Sequence, residues 1–138
     1  ACIGAVVGLV AITPAAGFVS LGDSVLIGFV ASLISNVAID AFHKSGRVDD
    51  TLDVFASHGV GGMVGMLLTG VFAAEVGLTS GGFETFGKHV AALVAVAVGA
   101  FTLSYGLFAL VNALIPMRVT SKQEERGLDD SQHGEKLQ

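Results

Sequence analysis

Residues 54–74 read VFASHGVGGMVGMLLTGVFAA. One ionisable side chain, His58, interrupts a run otherwise built of apolar and small residues. A helix rises about 1.5 Å per residue, so about 20 such residues cross the hydrocarbon core of a bilayer. A barrel strand needs only about half that length and alternates apolar with polar residues, which this run does not do. The stretch is therefore read as a membrane-spanning helix. Outward from it, Ala1 to Ile12 is apolar but too short to span, and Thr13-Pro14 closes it, because a residue before proline is pushed out of the helical region. With no initiator Met and no basic n-region, this first run reads as the end of a helix already under way and not as a signal peptide. Two more runs, about 24–42 and 90–115, are long enough to span, the last closed by Ile115-Pro116 and long enough to tilt or protrude. The expectation is an all-α, polytopic transmembrane bundle over 1–116, with the end of one helix and three full spans at about 24–42, 54–74 and 90–115.

Composition agrees. Hydrophobic residues make up 52% of the 138 positions and charged residues 14%, and the mean hydropathy is +0.75, too apolar to coat a water-soluble globule. Nineteen glycines with little Ser or charge around them read as helix-packing surfaces, not as linkers. The small-xxx-small pairs Gly4/Gly8, Gly28/Ser32 and Gly61/Gly65 each place two small residues on one helix face, where tight helix contacts are expected. A net charge of −5 with scattered Lys and Arg offers no footprint for nucleic acid. A single cysteine, Cys2, excludes an internal disulfide.

Orientation is read from Lys and Arg. Lys44 and Arg47 lie between the second and third runs, and Arg118, Lys122, Arg126 and Lys136 follow the fourth, whereas the opposite breaks hold only Lys88. The 43–53 segment and the polar tail, 117–138, are thus expected on the cytoplasmic side. The tail mixes both signs of charge almost evenly, which suits docking to protein better than docking to lipid.

Few residues could carry chemistry. His58 lies roughly 9 Å from the centre of its span toward the cytoplasm, and an ionisable group at that depth marks a functional position. The alternative is a neutral histidine hydrogen-bonded across a helix contact. Gly59, Gly61 and Gly62 would let a helix or a small solute approach the imidazole. His43 and His89, each beside a lysine at a helix end, suit anchoring or solvated roles, and His133 lies in the tail. No two histidines have the spacing of a metal site, so neither metal nor cofactor is expected. Asp53, at the start of the third span, complements the positive end of that helix, and capping accounts for it. At five residues from His58, about 140° around an α-helix, it should not form a dyad with it. Asn36 and Asp40 should face protein or water, with no role assigned.

The segments GLVAITPAAGFV from Gly8, RVDDTLDVFASHGVGGMVG from Arg47, LTGVFA from Leu68 and GLDDSQHGE from Gly127, in this order, resemble the ammonium transporter family of Amt, Mep and Rh proteins, with a tail nearer the Amt branch. The resemblance covers essentially the whole chain. It implies the C-terminal part of an eleven-helix fold with two inverted halves, assembled as a homotrimer with one pore per subunit, in which this chain needs the preceding helices as partners. It implies transport of ammonium or ammonia, not enzymatic catalysis, with His58 as a pore-lining proton relay and the second of the family's two pore histidines. Val54, Phe55 and Asp53 would line the pore wall or the cytoplasmic vestibule. Gly127, Asp129, His133 and Glu135 would belong to a regulatory tail engaged by a PII-type signalling protein. The competing readings are an ammonium sensor of the same fold and an unrelated membrane protein packed through its glycines.

Overall fold

The structure is a computed structural model that describes residues 2–46 and 50–135; Arg47 and Lys136, two of the charges used to orient the chain, lie outside the described residues. It is all-helical, with no strand among the described residues. Helix α1 covers Cys2–Ile12 and α2 covers Leu21–Ser45. The third span opens with a π-helical turn, π1, at Phe55–Val60 and continues as α3, Gly61–Phe72. A short 3₁₀ turn, Leu78–Ser80, leads to α4, Phe83–Leu114, and the tail forms α5, Ser121–Arg126, and a second π turn, π2, Asp129–His133. Three helical segments, Leu21–Ser45, Phe55–Phe72 and Phe83–Leu114, are long and apolar enough to cross a membrane, and α1 is apolar but shorter. The chain divides into two units, 1–95 and 96–138.

Helices α2 and α4 extend beyond the apolar runs that announce them. Ser20 caps α2, its hydroxyl accepting from the amide of Asp23 at 3.2 Å and donating to that residue's carboxylate at 2.6 Å. This starts the helix at Leu21, with Asp23 placed in the first turn, where negative charge is favoured. At the other end, the Asp40–Lys44 pair continues α2 past Phe42 until Gly46, whose φ of 58° is uncommon for residues with a side chain. In α4, Glu84 and Lys88 pair at 2.7 Å one turn apart, so the polar stretch before Val90 is helical as well.

In the first unit, α1, α2 and α3 meet along stripes of residues spaced by four. These are Val7 and Ala11 on α1, Ile27, Ala31, Ser35 and Ile39 on α2, and Gly61, Gly65 and Thr69 on α3. That spacing builds the ridges by which helices interlock. Val7, Ala11, Ala15, Ile27 and Ala31 are wholly buried, flanked by Ile12, Val19, Val64, Leu68 and Phe72. The small-residue pairs read from sequence sit at these contacts. A Cβ added to Gly28 would lie 3.6 Å from the Gly8 Cα, and one added to Gly65 would stand 2.7 Å from the Ala11 Cα. Ser32 Oγ donates to the Gly4 carbonyl at 2.8 Å, the interhelical hydrogen bond that such close approach permits. Thr69 satisfies its hydroxyl within its own helix on the Gly65 carbonyl at 2.7 Å, whereas the buried Ser35 hydroxyl finds no partner among the described residues.

After α3 the chain turns back, and the Ala74 amide bonds to the Phe18 carbonyl at 2.7 Å, tying the end of α3 to the α1–α2 turn. The first turns of α4 then pack on Gly70, where an added Cβ would lie 3.2 Å from His89 and Phe86.

In the second unit, no residue of the remaining length of α4 is buried, and Phe101 stacks on Tyr105 at 6.2 Å. Asn112 Oδ1 accepts from the Met117 amide at 3.0 Å, closing the helix end. The tail is folded locally. Thr120 and Gln123 form a capping box at the start of α5, and Gly127, with φ 97°, turns the chain into π2. Arg126 bonds Asp130 at 2.6 Å, and Ser131 Oγ donates to the Gln123 carbonyl at 3.2 Å.

Candidate functional site around His58

His58 stands on π1, which joins the 50–53 turn to α3. A π turn bonds each amide to the carbonyl five residues back, and such turns inside α-helices concentrate at functional positions. The turn is anchored by Asp50, whose carboxylate accepts from the amides of Val54 at 2.9 Å and Phe55 at 2.8 Å. These are the amides that the start of a helix leaves unpaired. The capping expected of Asp53 is thus performed by Asp50. Asp53 takes the left-handed conformation, φ 54°, and its carboxylate, with only 13% of the side chain exposed, pairs with His43 Nε2 at 2.7 Å. The physical reason is local: a carboxylate caps from the residue where the chain enters the helix, and the left-handed bend at Asp53 moves that point back to Asp50. The same pair gives His43, expected as an anchor or solvated, a carboxylate partner linking the end of α2 to the start of π1.

Around the imidazole, Ala56 and Ser57 are buried at 1% and 4% exposure, while His58, Val54 and Phe55 are exposed. Phe55 meets Phe42 of α2 edge to face with ring centroids 5.6 Å apart, and its ring lies where a Cβ on Gly59 would come within 3.1 Å. Ser57 Oγ lies 2.6 Å from the Asp53 carbonyl and 2.9 Å from His58 Nδ1. Asp53 and His58 therefore share no direct hydrogen bond but are linked through Ser57. The α-helical angle of about 140° is not the reason, because the turn between them is π and not α.

The other histidines have different surroundings. His89 is half-buried, its Nδ1 donating to the Thr85 carbonyl at 2.9 Å, and it lines a cavity of about 220 Å³ with Pro14, Phe18 and Thr69. His133 ends π2 and is exposed, as are Asp129 and Glu135; the Glu135 amide bonds to the Asp129 carbonyl at 3.1 Å. Among the described residues no group of three or more His, Cys, Asp or Glu could hold a metal ion. Sequence reasoning missed Asp50, His43 and Ser57. Asp50 was hidden among three near-adjacent aspartates. The one available signal for Ser57 was a hydroxyl next to the histidine in an apolar run.

Comparison with known proteins gives this geometry its setting. Residues 1–137 match the model of the Ammonium Transporter Family. An ammonium transporter of Aquifex aeolicus is 41% identical over 96% of this chain and 32% of its own length. One of Bacillus subtilis is 37% identical over 96% of this chain and 35% of its own, and Amt1 of Archaeoglobus fulgidus is 37% identical with the same coverage. The chain spans about a third of the length of the curated relatives it matches. Matched along almost its entire length, and built of apolar membrane-length helices, it is an integral membrane protein that belongs to the ammonium transporter family.

Proposed function

We propose that this chain supplies the His58 wall of a pore that moves ammonium across a membrane as ammonia and a proton, the opposite wall coming from helices that its relatives carry in the rest of their length. One observation carries the reading: an imidazole is exposed on a membrane-length helical segment otherwise built of apolar and small residues. Moving the intact ion through an apolar passage costs several kcal/mol, whereas neutral ammonia loses only hydrogen bonds. Splitting the ion lowers that cost, and imidazole, titrating near neutrality with two nitrogens that exchange donor and acceptor roles, suits the proton that travels separately. Val54 and Phe55 would supply apolar wall, and Asp53 would lie at the cytoplasmic vestibule.

The assembly we propose is a homotrimer with one pore per subunit, its tail cytoplasmic in keeping with the distribution of Lys and Arg. The folded tail, with Asp129, His133 and Glu135 exposed beyond the turn at Gly127, would be a docking element for a PII-type signalling protein. The deciding experiment uses the transporter with all its helices in proteoliposomes. His58→Ala is expected to assemble normally and to lower the ammonium-driven current at least about tenfold. An unchanged current and selectivity would leave His58 a packing residue. The same preparation without residues 118–138 tests the tail, through loss of PII binding or a changed current.

A further inference from the structure

We propose that the cavity beside His89, at the opposite end of the third span from His58, is a binding site for a small neutral molecule with an apolar body and one hydroxyl group, of about the size of phenol. The walls select the body. Pro14 and Phe18 between α1 and α2, Ala73 at the end of α3 and Val76 beyond it surround a volume of about 220 Å³. An apolar cavity of about 150 Å³ already takes up benzene. Phe18, 64% exposed, leaves the cavity a way in. No carboxylate lines it among the described residues, and Glu84, next to Thr85, is exposed and paired with Lys88 at 2.7 Å. A cation entering here would lose its hydration without gaining a counter-charge, which sets the ammonium ion aside as the ligand.

The polar groups select the hydroxyl. His89 Nδ1 lies 2.9 Å from the Thr85 carbonyl, one turn back on the same helix. A carbonyl only accepts, so Nδ1 carries the hydrogen, and in the neutral ring Nε2 is left as an acceptor. The base of the side chain is held against α3, since a Cβ on Gly70 would meet His89 Cβ and Cγ at 3.2 Å, and Nε2 lies at the far edge of the ring. Nε2 has no partner among the described residues, yet it is not sealed: the one buried side-chain atom without a partner among them is Ser35 Oγ. An accessible lone pair at an apolar cavity calls for a donor. The Thr69 hydroxyl gives its hydrogen to the Gly65 carbonyl, whereas that of Thr85 has no partner among the described residues and can donate. An alcohol or phenol answers both groups, its hydrogen on Nε2 and its oxygen open to Thr85.

Thr69 follows His58 by eleven residues, roughly 16 Å of helix, so a molecule bound here stands apart from the candidate pore, and the inference does not depend on the relay reading of His58. It touches the α1–α2 turn, the end of α3 and the start of α4 at once, and stabilises the state in which they meet. The full transporter, with ¹⁵N-labelled histidine, is reconstituted in nanodiscs and titrated with phenol at a pH where the ring is neutral. The His89 nitrogens are assigned by their absence in His89→Phe. The wild type is expected to start with a protonated Nδ1 and an unprotonated Nε2, and phenol to shift the Nε2 resonance until it saturates. Anisole, the same ring with a methyl group in place of the hydroxyl hydrogen, is expected to leave it unmoved. His89→Phe keeps a ring but removes the acceptor, and is expected to weaken the binding of radiolabelled phenol, corrected for empty nanodiscs, about three- to tenfold, the effect of one hydrogen bond. A wild type already protonated on Nε2, a phenol titration without a saturable shift, or an equal response to anisole each overturns the proposal without any variant. Phenol binding to His89→Phe that matches the wild type overturns it as well.

Discussion

Where α1, α2 and α3 meet, glycine and alanine let backbones approach until an added Cβ on Gly65 would stand 2.7 Å from the Ala11 Cα. From Arg118 to Glu135 no residue is buried, and the backbone is organised by charged and hydroxyl side chains: a capping box at Thr120, Arg126 on Asp130, Ser131 on the Gln123 carbonyl. The difference reflects the solvent each region is built for. In lipid no hydrophobic force separates helix from surroundings, so association comes from close packing and the occasional interhelical hydrogen bond. In water a short charged segment cannot bury enough to hold itself, and caps and ion pairs set its local shape. The helix junction should therefore be sensitive to one added methyl group, and the tail to salt.

The largest effect is expected from Gly65→Ala. The new Cβ meets backbone and not a movable side chain tip, so α1 and α3 must separate, at a cost of about 3 kcal/mol. Loss of a monodisperse peak in detergent size-exclusion of the full transporter checks it; an unaltered profile and melting temperature would break the close-packing half of the comparison. Next comes Asp50→Ala, which leaves the Val54 and Phe55 amides unpaired and should destabilise by about 1–2 kcal/mol, read as a lower melting temperature. Asp53→Ala should cost less, because the pair it breaks is largely solvated on the His43 side; a reversed order would return the cap to Asp53. The smallest is Arg126→Ala. The Asp130 pair is worth about 0.5 kcal/mol, seen as faster limited proteolysis within 118–135 that becomes indistinguishable from wild type in about 1 M salt.

The spans were legible in the sequence because run length and apolarity report directly on the bilayer, and so were the small-residue contacts, because Gly4/Gly8, Gly28/Ser32 and Gly61/Gly65 carry their spacing openly. Helix ends were less so. A run of apolar residues stops at its first polar residue, but a helix does not when pairs such as Glu84–Lys88 support it. At the candidate site, His58 stood out by residue type alone. The choice of Asp50 over Asp53 as cap depends on a left-handed backbone at Asp53, which no composition or periodicity announces. The contact of Ser57 with His58 is readable only once distances are known.

The π turn has a further consequence for how this segment can change over evolutionary time. Going back from Thr69 through Gly65 and Gly61 in steps of four, the buried stripe of α3 reaches Ser57 in the π turn, with Ala56 buried beside it as Gly70 is beside Thr69. The turn closes five residues back where an α turn closes four, so it houses one residue more than regular winding would. Deleting one residue between 55 and 60 would remove the one that the turn houses in excess and relax it to α, leaving the residues before the cut close to their present angle to α3, because a wide turn covers with five residues about what an α turn covers with four. The segment can therefore lose one residue at the π turn with its neighbours kept in register, whereas the same loss within α3 would swing His58 about 100° around the helix.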